Sequence, residues 1–310
     1  MSAWYALGRR TNREYLGERF KRLVVPLIFG IFVIVPPQVY LERFSQGPFN
    51  GSFFGFLPHY FDGLYGFGGN FPWMGLHLWY LEMLFLFSLI TLPLFRFLRT
   101  GSGQGFVSQV AGLCAKPGGI LLFVIPIALM EMLVNLQPKG IGFRDFGGCS
   151  PLTYLVFFLL GAVMSADPRF RKGVERGMIP ALALLIVTTL AGYLLLTSGA
   201  SSRAPAFALL RAGNSWCWLV AILGGGERFL NFSNGCLRYA NEAVLPFYIL
   251  HQTVIVVIAF FLISWNAGVA VKYAILAPVS FVIIMVLYEV VIRRIGTLRF
   301  LFGMQGLSHA

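Results

Sequence analysis

The chain has 310 residues, of which 57% are hydrophobic and only 12% charged. Soluble domains carry roughly a quarter charged residues, so this composition excludes a soluble globular protein and predicts a polytopic membrane protein. The formal net charge of +12 would suit a nucleic-acid-binding protein, but 18 of the 24 basic residues fall in segments predicted on one side of a membrane. We therefore expect a lipid bilayer as partner and no nucleic acid.

Residues 1–22 are predicted to form a cytoplasmic basic segment. Residues 1–7 lack the basic-then-apolar order of a signal peptide, and six basic residues, beginning at Arg9, follow within a short span. Arg19 and Arg22 lie three residues apart, which places both guanidinium groups on one face of a helix. Such a pair suits a phosphate ligand, but an ordinary cytoplasmic flank that attracts anionic lipid has the same composition.

The rest of the chain alternates apolar segments, most near the ~20 residues that a transmembrane helix needs, with polar connections. The distribution of basic residues gives an all-α bundle of about eight transmembrane helices over residues 23–292, with both termini cytoplasmic and a tail over residues 293–310. We expect one domain over residues 1–310. The predicted spans are Leu23–Leu41, bent at Pro36 and Pro37, Leu76–Phe95, Gly119–Leu136, Pro151–Ala166, Met178–Thr197, Ala206–Gly226, Ala243–Ser264 and Lys272–Ile292.

The predicted outer connections hold few basic residues, among them Lys139, Arg144 and Arg203, with Asp145 beside Arg144. The connection at residues 42–75 is rich in aromatic residues and glycine. Its rings suit an interfacial belt, a segment that folds back into the protein, or stacking on sugar rings.

Polar groups inside apolar segments are the first candidates for function, because burying them in hydrocarbon costs free energy. His77 is predicted near the outer surface, and Glu82 more than one helical turn deeper. Their offset of five residues places them on different helix faces, so they are not a preformed pair. His77 suits either a solvated interfacial position or a functional role, and Arg211 is the candidate partner of Glu82.

Glu131 and Asn135 form a polar face near the outer end of the third predicted span. They can close against Arg211 or Arg144, either to line an outward-facing substrate cavity or as a structural ion pair between helices.

His251 lies about a third of the way into the seventh predicted span, with Tyr248 one turn away on the same face. A neutral imidazole at that depth can act as a general base, as a hydrogen-bond donor to a substrate, or as a hydrogen bond between helices.

Several other chemistries are excluded by the sequence. The four cysteines are scattered, so neither a disulfide framework nor a metal site is expected. Phosphate-binding GxxxxGK[ST], HExxH and GxSxG motifs do not occur.

Three motifs in order resemble the membrane acyltransferase-3 family. They are Arg19-Phe20-Lys21-Arg22-Leu23 with Pro26, His77-Leu78-Trp79-Tyr80-Leu81, and Leu245-Pro246-Phe247-Tyr248-Ile249-Leu250-His251.

The closest branch it resembles is the periplasmic-glucan succinyltransferase type, glucan biosynthesis protein C. The resemblance implies transfer of an acyl group, with succinyl as one case, from acyl-CoA to a hydroxyl of an extracytoplasmic carbohydrate at the bacterial inner membrane. It assigns the donor phosphates to Arg19 and Arg22.

The family places two further helices before this point, the first with the general-base histidine, and the resemblance implies that this chain lacks them. The catalytic base is therefore left unassigned, with His251, Tyr248, His77 and Glu82 as supporting candidates. A transporter or flippase that uses Glu82, Glu131, Arg211 and His251, and an inactive fragment, are the alternatives.

Overall fold

The computed structural model describes residues 2–8, 10–47, 49–136, 144, 148–199 and 205–304. The predicted loop residues Arg9, Lys139, Asp145 and Arg203 lie outside this part of the chain. Among the described residues, helices are joined by turns and by one isolated β-bridge between Leu64 and Phe71. The α-helices are α1 (Ser2–Leu7), α2 (Asn12–Arg19), α3 (Val25–Phe29), α4 (Pro36–Gln46), α5 (Phe53–Phe56), α6 (Trp79–Ile90), α7 (Leu92–Phe97), α8 (Gly101–Cys114), α9 (Val124–Leu136), α10 (Pro151–Met164), α11 (Arg169–Thr197), α12 (Pro205–Phe229), α13 (Gly235–Leu262), α14 (Val269–Leu287) and α15 (Gly296–Leu301).

Shorter helical segments of other types extend several of these helices. π-Helical segments cover Phe20–Val24, Gly30–Ile34 and Tyr288–Ile292, and 3-10 segments cover Pro58–Phe61, Leu76–Leu78 and Gly119–Phe123. Two of the π segments interrupt one continuous helical stretch, Asn12–Gln46, which contains the first predicted span.

Within the described chain, six helical stretches are long and apolar enough to cross a membrane. The third predicted span coincides with one of them, and the first, fifth, sixth, seventh and eighth each overlap another. Two shorter apolar helices, Leu76–Ile90 and Pro151–Met164, correspond to the second and fourth predicted spans. The six stretches are Asn12–Gln46, Gly119–Leu136, Arg169–Thr197, Pro205–Phe229, Gly235–Leu262 and Val269–Ile292.

The second predicted span is not continuous, which corrects the expectation of one helix to Phe95. Helix α6 ends at Ile90, and α7 begins at Leu92 with Pro93 in its first turn. Proline has no N–H and ends the preceding helix. The Phe87 carbonyl, one of the last acceptors of α6, accepts both the Thr91 N–H at 3.0 Å and the Thr91 hydroxyl at 2.7 Å.

The chain forms two compact units, and one comprises residues 1–15 and 87–232. In this unit, glycines let α11 approach its neighbours closely: a Cβ on Gly173 would lie 2.5 Å from the Cys114 carbonyl oxygen, and one on Gly224 would lie 2.8 Å from that of Val174. Small residues at such positions allow close packing of membrane helices. The indole of Trp216 donates to the Ile120 carbonyl at 2.9 Å inside the same core.

The other unit comprises residues 16–86 and 233–310. Its core is formed by the first span, the segment before α6, α13, and the end of the chain. The buried apolar side chains are Leu23, Leu27, Ile31, Val35, Val39, Phe56, Tyr60, Leu78, Leu81, Ile249, Leu250, Ile284, Ile292 and Phe302.

The predicted cytoplasmic tail is partly packed into this second unit. Phe302 is buried, and the ring of Phe29 lies 5.3 Å from it. Arg299 is 6% exposed and donates to Glu242 at 2.9 Å. Arg299 of α15 and Phe302 just after it are therefore buried in this unit, and residues 305–310 lie outside the described chain.

Candidate functional site

Two histidines from distant parts of the sequence meet inside the second unit. The rings of His77 and His251 lie 5.2 Å apart and perpendicular to each other. The ring of Tyr248 lies 5.9 Å from that of His77, and its hydroxyl donates to the His77 carbonyl oxygen. Tyr80 extends the cluster with its ring 6.2 Å from Tyr248. We call these four residues the histidine cluster.

Backbone carbonyls fix the tautomers of both histidines. Nε2 of His77 lies 3.1 Å from the Ile249 carbonyl oxygen, and Nδ1 of His251 lies 2.6 Å from that of Tyr248. Because a carbonyl only accepts, these nitrogens carry the hydrogens. In the neutral rings, Nδ1 of His77 and Nε2 of His251 then keep free lone pairs. Nδ1 of His77 is buried without a hydrogen-bond partner among the described residues.

Strained backbone and close packing position His77. Gly75 and Leu76 have φ of 72° and 51°, and the latter value is uncommon for leucine. The next turn packs on the first span, because a Cβ on Gly30 would lie only 2.2 Å from Cδ1 of Leu78. Gly30 lies near the middle of Asn12–Gln46, so the turn that contains His77 packs against the middle of this stretch, and the predicted position of His77 near the outer surface stays a prediction.

The loop that precedes His77, residues 42–75, folds back into its unit. Phe56 and Tyr60 are each 1% exposed, whereas Phe54 and Phe67 are 79% and 85% exposed. Non-helical backbone at this depth is tolerated where protein surrounds it. The aromatic loop therefore folds back into the protein, as one of the alternatives predicts, and its roles as an interfacial belt and in binding sugar rings stay predictions.

The proline bend frees backbone carbonyls that side chains of the same unit satisfy. The Val35 N–H bonds to the Gly30 carbonyl at 2.9 Å, and Pro36 has no N–H, so the Ile31 carbonyl lacks a helical donor. The hydroxyl of Tyr60 donates to it at 2.6 Å.

A second freed carbonyl lies three residues further along. The Gln38 N–H bonds to Val35 instead of to Ile34, and the Thr253 hydroxyl donates to the Ile34 carbonyl at 2.8 Å. The side-chain amide of Gln38 in turn donates to the Thr253 hydroxyl at 2.5 Å. Thr253 is two residues from His251, so this network ties the bend to the histidine cluster.

Arg19 and Arg22 lie just before the first predicted span, in the same helical stretch. Arg19 ends α2, and Arg22 lies in the π-helical segment that follows. The side chain of Arg22 is 49% exposed, and its guanidinium lies 4.0 Å from Glu18. A wide contact of this kind is worth little in stability, so Arg22 is accessible to an anionic ligand. An ideal α-helix would place Arg19 and Arg22 on one face, but the wider π turn changes the angle between the two residues around the helix axis.

Glu82 lies in α6, and its Oε2 is buried without a hydrogen-bond partner among the described residues. Within that part of the chain it makes no hydrogen bond to His77, as the sequence spacing predicts. Its proposed pairing with Arg211 would join the two units and stays a prediction.

Glu131 is the centre of an ion-pair network in the first unit. It is 1% exposed, lies 2.8 Å from Arg144 and 3.7 Å from Arg211, and accepts the Thr153 hydroxyl at 2.7 Å. Arg144 also donates to Asn135 at 2.8 Å. The prediction that this polar face closes against Arg211 or Arg144 is confirmed, since Glu131 lies close to both arginines. Because Glu131 is fully buried and paired, its contacts fit the structural role better than a substrate role.

Arg211 additionally lines a cavity of about 420 Å³. The other polar lining residues include Thr188, Thr189 and Asn214, and the Asn214 amide donates to the Thr189 hydroxyl at 2.9 Å. Glu131 and Asn135 do not line this cavity, so of the three predicted cavity residues only Arg211 does.

No sequence motif predicts the three residues that support the site, Gln38, Tyr60 and Thr253. Pro36 and Pro37 indicate that some carbonyls lack helical donors, and Thr253 lies on the same helix as His251. The donors to these carbonyls, however, come from residues that are distant in sequence. No local pattern identifies such partners.

These features define a membrane protein with paired histidines in its helical core and two arginines, of which Arg22 is exposed, in the same unit. The chain belongs to the acyltransferase-3 family: a family model described as an acyltransferase domain matches residues 1–289. It is therefore a membrane acyltransferase. Neither a curated protein nor a solved structure matches the chain significantly.

Proposed function

We propose that the protein is an O-acyltransferase of the bacterial inner membrane, of the glucan biosynthesis protein C type. It moves an acyl group, with succinyl as the leading candidate, from cytoplasmic acyl-CoA to a hydroxyl of an extracytoplasmic carbohydrate. In this arrangement the chain crosses the membrane eight times with both termini cytoplasmic. The two shorter apolar helices supply the second and fourth crossings.

The observation that carries the proposal is the pair of fixed tautomers in the histidine cluster. A buried acceptor without a donor, such as Nδ1 of His77, is a position for a substrate hydroxyl. Neutral imidazoles in a dry core are suited to remove a proton during acyl transfer. Tyr248 holds the His77 backbone through its hydroxyl and acts as a positioning residue.

The proposed reaction uses these groups in one sequence. The sugar hydroxyl gives its proton to a free imidazole nitrogen while its oxygen forms a bond to the thioester carbonyl carbon. The carbon–sulfur bond then breaks, and the imidazolium returns the proton to the departing thiolate of coenzyme A. The products are the sugar ester and free coenzyme A.

The donor phosphates are assigned to Arg19 and Arg22, and the distance to the cluster suits a long donor. Arg22 and Gly30 are separated by eight residues, a helical rise of about 12 Å. Gly30 is at the level of Leu78, next to His77. Coenzyme A separates its thiol from its phosphates by an extended arm, which can cover this rise.

Binding of acyl-CoA to the purified full-length protein tests the donor assignment. We expect the double change Arg19→Ala and Arg22→Ala to weaken binding by roughly tenfold or more, because charge-assisted hydrogen bonds to phosphate are lost. Arg238→Ala removes an exposed arginine of α13 and serves as the matched control. Equal acyl-CoA affinity in the wild type and the double variant would contradict the assignment.

A further inference from the structure

Four arginines surround one cavity in the first unit. The cavity has a volume of about 500 Å³ and is lined by Arg10, Arg13, Arg96 and Arg99, together with Thr11 and Asn12. The first two arginines belong to the basic segment before the first span, and the other two to the end of α7 and the turn after it. Two basic segments predicted on the cytoplasmic side thus meet around one space.

The charges around this cavity are not balanced by its own walls. No carboxylate is among the described residues that line it. Glu14 is close enough to act on the charge of Arg10, but its carboxylate accepts the Thr11 N–H at 2.8 Å. The side chains of Arg13 and Arg96 form no hydrogen bond or ion pair with another described residue. Like charges around one space repel one another, and an anion that enters the space offsets this repulsion.

Arg99 is held in place at the cavity wall. Its guanidinium lies 4.4 Å from the ring centroid of Trp4, and it donates to the Trp4 carbonyl oxygen. Burial lowers the pKa of Arg99, which shows that its charge is partly removed from water. A fixed, partly desolvated guanidinium interacts more strongly with a phosphate than a freely moving surface arginine does.

We propose that this cavity is a second binding site, for an organic phosphate at the inner face of the protein. The ligand is either the nucleotide end of an acyl-CoA molecule bound separately from the donor phosphates at Arg19 and Arg22, or the headgroup of an anionic phospholipid, since both present phosphate oxygens. The donor alternative rests on the proposed function, whereas the lipid alternative does not. Thr11 and Asn12 supply polar groups beside the arginines for non-phosphate oxygens of the ligand.

The test uses the full-length protein with Arg13→Gln and Arg96→Gln combined, since these side chains support no described contact. Arg228→Gln, an exposed arginine of α12 outside the cavity, is the matched control. Thermal unfolding confirms that each variant is folded. One arm measures binding of coenzyme A to protein in neutral phosphatidylcholine nanodiscs, and the other measures association of phosphatidylglycerol with protein in mixed nanodiscs.

The site is supported, and its ligand identified, if binding in either arm weakens roughly tenfold in the double variant only. Added salt should also weaken that binding in the wild type. Unchanged binding in both arms overturns the inference. The two proposals can fail separately. If the Arg19 and Arg22 variant keeps full acyl-CoA affinity while the cavity variant no longer binds phosphatidylglycerol, the cavity proposal is supported and the donor assignment is contradicted. A further variant, Arg99→Lys, keeps the charge and should retain more of the binding than the double variant.

Discussion

At the scale of single residues, the first span depends on side chains that replace missing backbone hydrogen bonds. Pro36 removes the donor that the Ile31 carbonyl would otherwise use, and Tyr60 supplies one from a distant loop. Burial raises the pKa of Tyr60, so its hydroxyl keeps its hydrogen throughout the neutral range. An unsatisfied carbonyl at this depth would have no water to bond.

We expect Tyr60→Phe to lower the free energy of unfolding by about 1–3 kcal/mol, because it leaves the Ile31 carbonyl without a donor while preserving ring packing. Chemical unfolding in detergent micelles measures the change. Tyr273→Phe is the matched control, since that side chain is 71% exposed. Equal losses of stability in the two variants would show that the Tyr60 hydrogen bond does not stabilise the bend.

The chemistry also depends on single atoms that the sequence does not specify. The motifs indicate that His77 and His251 matter, but only the structure shows which nitrogen of each is occupied by a carbonyl. The packing partner of His77's segment was not predictable for a related reason. Its position follows from contacts between Leu78 and Gly30, which are distant in sequence.

At the scale of helices, most apolar segments were predictable because a spanning helix leaves a long hydropathic signal. The third predicted span coincides with the apolar helical stretch Gly119–Leu136. Helix α8 was missed: its glycine content disfavours helix, and the signals for it are Thr100 as N-cap and a buried stripe of small residues. The break at Thr91 was also missed, although Pro93 indicates it.

Close packing of α11 gives a prediction at this scale. Gly173→Ala should destabilise the protein by about 1–3 kcal/mol, because the added methyl group would press on the Cys114 carbonyl of α8. Gly192→Ala, in the same helix, should be neutral or slightly stabilising, because its added methyl group would have no atom within 4 Å. Thermal unfolding in detergent compares the pair. A Gly173→Ala variant as stable as Gly192→Ala would contradict close packing there.

At the scale of the whole molecule, the sequence predicts a single domain, and the structure describes two compact units that each hold one group of polar residues. The second unit carries the histidine cluster and the Arg19 and Arg22 pair. The first carries the Glu131 network and the arginine-lined cavity. Sequence patterns located these groups along the chain, but their division between units depends on long-range contacts.

The eight-span arrangement predicts which cysteines an impermeant maleimide reaches. Cys236 is exposed near the start of α13, on the predicted cytoplasmic side, so in intact cells it should stay unlabelled and react after permeabilisation. An introduced Asn266→Cys, in the turn after α13, should react in intact cells.

Cys114 serves as an internal control in the same experiment. Burial raises the pKa of its thiol to about 11, so below that pH the unreactive protonated form dominates on either side of the membrane. Because the folded-state pKa lies above the ordinary value, this thiol favours folding at neutral pH, and that contribution is lost as pH rises toward 11. Labelling of Cys236 in intact cells would reverse the predicted orientation of α13.

The central claim is that the histidine cluster removes the proton from the acceptor hydroxyl. The most direct measurement is transfer of a radiolabelled acyl group from acyl-CoA to a carbohydrate acceptor by the full-length protein in proteoliposomes. We predict that at least one of the variants His77→Gln and His251→Gln loses the base and transfers the acyl group at least about 100-fold more slowly. Acyl-CoA affinity and thermal stability should stay near wild type in both variants. Tyr273→Phe should transfer at the wild-type rate. Wild-type transfer rates in both histidine variants would contradict the account.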